Sequence, residues 1–119
     1  MSVPSIGKEK RIFSLQEARD LLPLVKKITA SVVERVHSNL DRLETLSEED
    51  PEFEETRQDI DSVVRLWAEK LQKLGCEVKG LWLVDFDNGQ GYYCWNYPED
   101  DVDHFHGYEE GFDNRTRIC

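Results

Sequence analysis

Apolar residues recur every three or four positions through the first half of the chain, which is the period of an α-helix that buries one side. At 100° per residue, the band that they form covers roughly half of the helix circumference, wider than the narrow stripe of a two-helix seam. Leu22, Leu24 and Val33 widen the band further. The recurring positions are Leu21, Val25, Ile28, Val32, Val36, Leu40 and Leu43.

The start of this helical region has two signals. Ser14 and Glu17 have the spacing of a capping box, in which each side chain satisfies a free backbone N–H. Pro23 cannot donate a backbone hydrogen bond, and its ring crowds the preceding turn. We therefore expect a short helix over 15–21, then a long helix that restarts with Pro23 in its first turn and runs to about Leu46.

A second helix is predicted over about 52–74, and Gly75 follows it in the left-handed cap position. An acidic turn over 47–51 joins it to the first. Two long helices of about 22 residues, each ~33 Å at 1.5 Å per residue, then favour an antiparallel hairpin. The apolar residues on one face of the second helix are Phe53, Ile60, Val63, Val64, Trp67, Leu71 and Leu74.

The pattern after Gly75 indicates β-structure. The segments 81–86 and 91–96 are rich in strand-forming residues, and Asn88-Gly89 between them is a strong hairpin signal. Residues 102–106 are predicted to add a third strand. Beyond them we expect an irregular tail anchored by Phe105, Tyr108 and Phe112.

The predicted fold class is therefore α+β: a long antiparallel helical hairpin, a small antiparallel sheet and an ordered C-terminal tail. We expect a flexible leader over 1–12 and a single domain over 13–119, divided into the hairpin (13–75) and the sheet with its tail (76–119). The wide apolar band of the first helix needs cover. A second copy of the hairpin can supply it, as a two-fold four-helix bundle, and this homodimer is our expectation. The alternative is that the sheet of the same chain folds back along the hairpin.

The charge of the chain limits its partners. The net charge is −10, with hydrophobic residues at 39% and charged residues at 34%, and the acids concentrate at 48–59 and 85–119. Nucleic acid and anionic lipid both require a basic footprint, so neither is expected as a partner. A divalent cation or a protein with a basic surface suits this charge better.

Cysteine usage bears on the compartment of the protein. Cys76, Cys94 and Cys119 are an odd number, widely spaced and without a C-x-x-C pair, and no segment reads as a signal peptide or membrane span. This pattern favours the reducing cytoplasm over a disulfide framework.

The segment before the tail holds the first candidate site. His104 and His106 stand two apart, so an extended strand directs both imidazoles to one face. Glu99 and neighbouring aspartates supply further oxygen ligands. A divalent metal, zinc or manganese, is the cofactor that these residues suggest. A zinc site built from Cys94, His104 and His106 can also be drawn, although only one thiolate is well placed for it.

Asp85 is the second candidate, because it interrupts an apolar strand. A buried carboxylate requires a partner, which is Arg115 or Arg117 in a structural ion pair, or a histidine in a shared site. In a strand, Asp85 points to the opposite face of the sheet from Val84 and Phe86. A third alternative is therefore that Asp85 faces water.

The chain resembles a small bacterial family catalogued only as domain of unknown function 2203. The similarity covers nearly the whole chain from residue 12. In that family the aromatic before the histidine is typically Trp, where this chain has Phe105, and His104 is not part of the pattern. The resemblance therefore favours Asp85, His106 and Arg115, with Trp95, as site residues, but implies no activity. The shared motifs are Phe13 to Ala18, Leu21-Leu22-Pro23, Leu83 to Phe86, Cys94-Trp95, Phe105-His106, Gly111-Phe112 and Arg115.

Two classes of function follow from these patterns. The first is a non-enzymatic, homodimeric assembly or protein-interaction module. The second is a divalent-metal-binding protein or metal-dependent enzyme whose ligands come from His104, His106, Asp85 and Glu99. No catalytic motif supports the enzyme reading over simple binding. Convergence of Asp85, His106 and Arg115 in one concave place distinguishes the second class from the first.

Overall fold

A computed structural model describes residues 11–118 as two long helices followed by a five-stranded antiparallel sheet. The α+β class, with the helical hairpin ahead of the sheet, is confirmed. Of the predicted leader, residues 1–10 lie outside the described residues, and the Arg11 guanidinium donates to the Leu74 carbonyl. The elements are α1 (Leu15–Thr45), α2 (Pro51–Lys73), β1 (Glu77–Gly80), β2 (Leu83–Asp87), β3 (Gly91–Asn96), β4 (His104–Gly107), a short 3-10 turn (Phe112–Asn114) and β5 (Thr116–Arg117).

The first helix is continuous, and the predicted break at Pro23 is wrong. Ser14 and Glu17 form the capping box, and α1 runs from Leu15 to Thr45 with Pro23 inside it. Proline in a helix interior costs about 3 kcal/mol, because one backbone hydrogen bond is lost and the ring crowds the preceding turn. Leu22 and Val25, on either side of Pro23, are both buried. Their burial offsets this cost, since each apolar side chain contributes ~1.5–3 kcal/mol.

The two helices pack against each other and against one face of the sheet. Val84, Phe86 and Trp95 of the sheet share a core with Leu22 and Leu71 of the helices. A buried hydrogen bond from Trp67 Nε1 to Thr29 Oγ1, 2.9 Å long, fixes the pairing of the helices. Gly75 ends the hairpin at φ +97°, the left-handed cap that the sequence predicts.

The far end of the hairpin extends beyond the sheet. Val36 is the last buried residue of α1, and the radius of gyration is 16.5 Å, against ~13 Å for a compact domain of this size. Exposed leucines remain on both helices, among them Leu40 and Leu66. The sheet of the same chain therefore covers only part of the apolar band.

The sheet has strand order β1-β2-β3-β4-β5, with two more strands than the sequence predicts, at 77–80 and 116–117. The predicted strand over 81–86 begins later, at Leu83, because Trp82 adopts φ +64° in the preceding turn. The predicted strand over 102–106 begins at His104, because the Val102 carbonyl accepts hydrogen bonds from Arg19 on α1. No helix within residues 11–118 is long and apolar enough to cross a membrane.

Candidate metal centre

The face of the sheet that points away from the helices holds a cluster of polar residues. Alternation along β2 sends Val84 and Phe86 into the helix-facing core and Asp85 to the other side. Asp85 pairs in register with Cys94 of β3, and His106 lies on β4 beside them. These three side chains are buried, and their ligand atoms all lie within 4.8 Å of one another.

His106 is held by both ring nitrogens. Nδ1 lies 2.9 Å from the backbone carbonyl oxygen of Gly107, and Nε2 lies 3.0 Å from Asp85 Oδ2. A carbonyl oxygen can only accept, so Nδ1 carries a proton and donates it. In a neutral imidazole, Nε2 then presents its lone pair toward the carboxylate. This conflict is resolved by a second ring proton, by a protonated Asp85 or by a cation between the two groups.

Asp85 is costly to keep ionised at this position. Its side chain has no exposed surface, and burial raises the pKa of Asp85 although His106 partly opposes the shift. Besides His106, the Cys94 thiol is close enough to hydrogen-bond to this carboxylate, and Oδ1 has no other hydrogen-bond partner within residues 11–118. Because the folded-state pKa is raised, metal-free protein loses stability as pH rises from the usual aspartate pKa through the raised one. A cation bound at Oδ1 or Oδ2 would remove that cost.

Cys94 supplies the third candidate ligand. Burial, reinforced by the nearby Asp85 carboxylate, raises the pKa of the Cys94 thiol to about 12. The Arg115 guanidinium lies 3.9 Å from its sulfur. A thiol in this state is inert without a cation, and binding of a metal would displace its proton.

A cavity of about 330 Å³ opens beside the cluster. Asp85 and His106 form part of its wall, together with residues of β1, β2, β3 and the tail that follows β4. The whole lining comprises Lys79, Leu83, Asp85, Tyr92, His106, Tyr108, Glu109, Glu110, Gly111 and Phe112. Two of the three cluster residues therefore border a concave space, whereas Cys94 is not part of its wall.

The C-terminal tail covers the polar face and is fastened near both ends. Tyr108 Oη donates to Asp87 Oδ1 over 2.6 Å. Arg115 donates from Nη1 and Nη2 to the two oxygens of Glu99, over 3.0 and 2.7 Å. Because the tail covers this face, Asp85 is buried. The predicted alternative in which Asp85 faces water is therefore wrong.

We expect Arg115→Met to lower stability by about 1–2 kcal/mol at neutral pH, because Glu99 loses a two-bond partner in a partly buried place. Burial raises the pKa of Glu99, but the Arg115 and Asn96 hydrogen bonds outweigh it and hold that pKa below its usual value. A lowered folded-state pKa gives stability that is present above the unfolded-state pKa and lost as pH falls through the folded one. Urea unfolding of both proteins across acidic pH should therefore show the difference shrinking. A difference that persists in acid would contradict the ion pair as its cause.

The structure brings some of the predicted site residues together and separates others. Asp85 and His106 meet directly, and Arg115 reaches the cluster through Cys94. His104 Nδ1 instead lies 3.7 Å from Glu99 Oε2, which is bound to Arg115. Of the alternative partners predicted for Asp85, the histidine is present, as His106. An ion pair of Asp85 with Arg115 or Arg117 is absent among the described residues, and Arg115 pairs with Glu99.

Trp95 and the tail residues also differ in place from what the sequence suggests. Trp95 packs in the helix-facing core, with its Nε1 donating to the Glu99 carbonyl over 2.8 Å. Lys79, Tyr92 and Tyr108 line the cavity but were not among the predicted site residues. Tyr92 pairs in register with His106, so correct strand registers are the signal that could have found it.

The fold and the site together define a small α+β protein with a candidate metal centre. Its helical hairpin packs on one face of the sheet, and its C-terminal tail covers a buried Asp–Cys–His cluster on the other face. The chain belongs to the family described as "Uncharacterized conserved protein (DUF2203)", whose model matches residues 11–118. The resemblance predicted from the sequence motifs is thereby confirmed. No curated protein and no solved structure matched the chain.

Proposed function

We propose that the protein binds a divalent transition metal through Asp85, Cys94 and His106. The observation that supports this most strongly is the orientation of His106, whose Nδ1 is fixed on the Gly107 carbonyl while Nε2 faces Asp85. A histidine that ligates a metal typically donates its other N–H to a carbonyl or carboxylate, which fixes the tautomer. The Oδ1 atom of Asp85 adds to this support, because it is buried and has no hydrogen-bond partner in the described part of the chain other than the neighbouring Cys94 thiol.

Zinc fits these ligands better than manganese, the other ion that the sequence suggests. Thiolate and imidazole are ligands that zinc prefers, whereas manganese favours oxygen. The site differs from the set predicted from the sequence, since Cys94 replaces His104 and Glu99. The proposal concerns binding, and no reaction is assigned to it.

Equilibrium dialysis of chelator-treated protein against Zn²⁺, followed by elemental analysis, tests this function. Wild-type protein should retain one zinc per chain, and His106→Gln should retain much less. His37→Gln is the matched control, because His37 is exposed on α1. Equal zinc content in the wild type and in His106→Gln would overturn the proposal.

The proposal also predicts how affinity depends on pH. Because the Cys94 thiol is protonated near neutral pH, each zinc that binds must release its proton, and affinity should rise about tenfold per pH unit. Isothermal titration in buffers of different ionisation enthalpy measures the released protons. Cys94→Ala should release fewer protons. Cys76→Ala, which removes a buried thiol outside the cluster, should leave the count unchanged.

A second proposal concerns assembly: the hairpin pairs with another copy of itself. A groove of about 200 Å³ between the helices is lined mainly by apolar side chains, among them Ile28, Val32, Val63 and Leu66. Leu66 is 58% exposed at this groove. The charges of α2 also favour an antiparallel copy, because acids dominate residues 52–61 and Arg65, Lys70 and Lys73 lie near its other end. A basic partner protein is the competing occupant.

We also propose a cytoplasmic location. The two described cysteines, Cys76 and Cys94, are both buried free thiols. Free thiols of this kind persist in a reducing compartment. Acid quenching of cells, followed by alkylation of the denatured protein with a reagent that labels only reduced cysteines, would test it.

A further inference from the structure

We propose that the cavity beside Asp85 and His106 binds a small organic molecule that has a metal-coordinating carboxylate at one end and a positive charge at the other. This inference rests on the proposed metal site. Its volume of about 330 Å³ lies in the range of small-molecule pockets, ~300–1,000 Å³.

The number of protein ligands suggests an open coordination position. Within residues 11–118, the group of mutually close ligand atoms consists of Asp85, Cys94 and His106. Zinc is usually tetrahedral, and sites with three protein ligands leave the fourth position to water or to a bound molecule. Asp85 and His106 form part of the cavity wall, so the cavity is the side from which a molecule would approach that fourth position, although the Asp85 and His106 side chains expose only 0% and 4% of their surface.

The charges around the cavity select the other end of the molecule. The one lysine in the lining, Lys79, has its ammonium 3.1 Å from Glu77 Oε1, so its charge is largely offset. A zinc ion with one carboxylate and one thiolate ligand is formally neutral. Glu109 and Glu110 on the tail then give the outer part of the cavity a net negative charge.

Aromatic rings add apolar surface to the cavity. Tyr92, Tyr108 and Phe112 line it, but Lys79 Nζ already lies 4.5 Å from the centre of the Tyr92 ring, and Arg115 Cζ lies 4.1 Å from that of Phe112. The preference for a cation therefore comes from the glutamates. Tyr108 and Phe112 are 45% and 39% exposed, so the alkyl chain of a ligand would bury apolar surface on them.

Three probes of similar length separate these contributions: caproate, ε-aminocaproate and adipate, which differ at the end remote from the shared carboxylate. The protein is loaded with Co²⁺, whose visible spectrum reports its coordination, and titrated with each probe at low ionic strength. ε-Aminocaproate should change the spectrum at about fivefold lower concentration than caproate, because Glu109 and Glu110 attract its ammonium group, and adipate should be the weakest. The double variant Glu109→Gln with Glu110→Gln should bind caproate and ε-aminocaproate alike. Asp113→Asn, an exposed tail variant outside the lining, should keep the preference.

The outcomes distinguish this inference from the proposal beneath it. A protein that shows no thiolate-to-cobalt absorption has no metal site, and both proposals fall. A protein that shows this absorption but prefers caproate or adipate, or responds to no probe, keeps its metal site and overturns the inference about the ligand. Loss of the preference in Asp113→Asn as well as in the glutamate double variant would also overturn it, because the effect would then reflect net charge alone.

Discussion

Zinc should raise the melting temperature of the wild-type protein by about 10 °C at a hundredfold excess over its dissociation constant, since such binding stabilises by ~2.7 kcal/mol. Asp85→Asn should abolish this response. The amide is a poor metal ligand, yet it keeps the size of the side chain and can still hydrogen-bond to His106. Differential scanning fluorimetry with and without Zn²⁺ or Mn²⁺ measures both effects, and Mn²⁺ should give the smaller shift.

The competing account of Asp85 is a purely structural pair with His106. It predicts that Asp85→Asn melts at a lower temperature and that neither protein responds to a divalent ion. Asp113→Asn provides the control, because it removes an exposed acid from the same tail and should preserve the zinc response. A wild-type protein indifferent to every divalent ion tested would end the metal proposal.

Leu66→Glu should convert a dimer into a monomer while leaving the fold of each chain intact. Leu66 lines the hairpin groove and is 58% exposed in the single chain, so the charge is tolerated in a monomer but not in a buried seam. Light scattering should change from twice the chain mass of 13.9 kDa to that mass alone. Val32→Asp should act in the same direction.

The test of the homodimer depends on the choice of Leu66 and on a matched control at Leu81. Val32 is partly buried against the core of its own chain, so unfolding could explain its effect, whereas the exposed Leu66 avoids this problem. Leu81 has the same exposure, 58%, but lies in the turn between β1 and β2, so Leu81→Glu should leave the mass unchanged. Wild-type protein that is monomeric at micromolar concentration, without a partner, would contradict the homodimer.

The helical hairpin could be read from the sequence because its signals are local. The period of the apolar residues, the capping box at Ser14 and the glycine at position 75 each specify structure within a few residues. Pro23 misled the prediction because its local cost is outweighed by the core contacts of its neighbours. That balance depends on tertiary packing, which no local pattern reports.

The hairpin between β2 and β3 could be located from Asn88-Gly89, but its register required the structure. Asn88 donates its backbone N–H to the Gly91 carbonyl, so Gly89 and Gln90 form the centre of the turn. A turn centred on Asn88 and Gly89 would have paired Asp85 with Tyr92 instead of Cys94. The metal cluster therefore depends on a register difference of two residues, which the turn signal alone does not resolve.

The sequence does not specify the partner of Asp85, for a related reason. Strand alternation correctly places Asp85 away from Val84 and Phe86, but its burial comes from the tail, which folds over the sheet only in three dimensions. Arg115 has the right charge to pair with Asp85, but in the structure it pairs with Glu99. These long-range choices are set by packing between segments far apart in the chain.

X-ray absorption at the zinc edge of the loaded protein tests the central claim most directly, because it counts the ligand atoms by type. The proposed site predicts one sulfur at about 2.3 Å, from Cys94, together with nitrogen and oxygen ligands at about 2.0–2.2 Å. The sulfur contribution should vanish in Cys94→Ala and remain in Cys76→Ala. A spectrum of nitrogen and oxygen ligands alone, with no sulfur in the wild-type protein, would contradict the assignment of Asp85, Cys94 and His106 as the metal site.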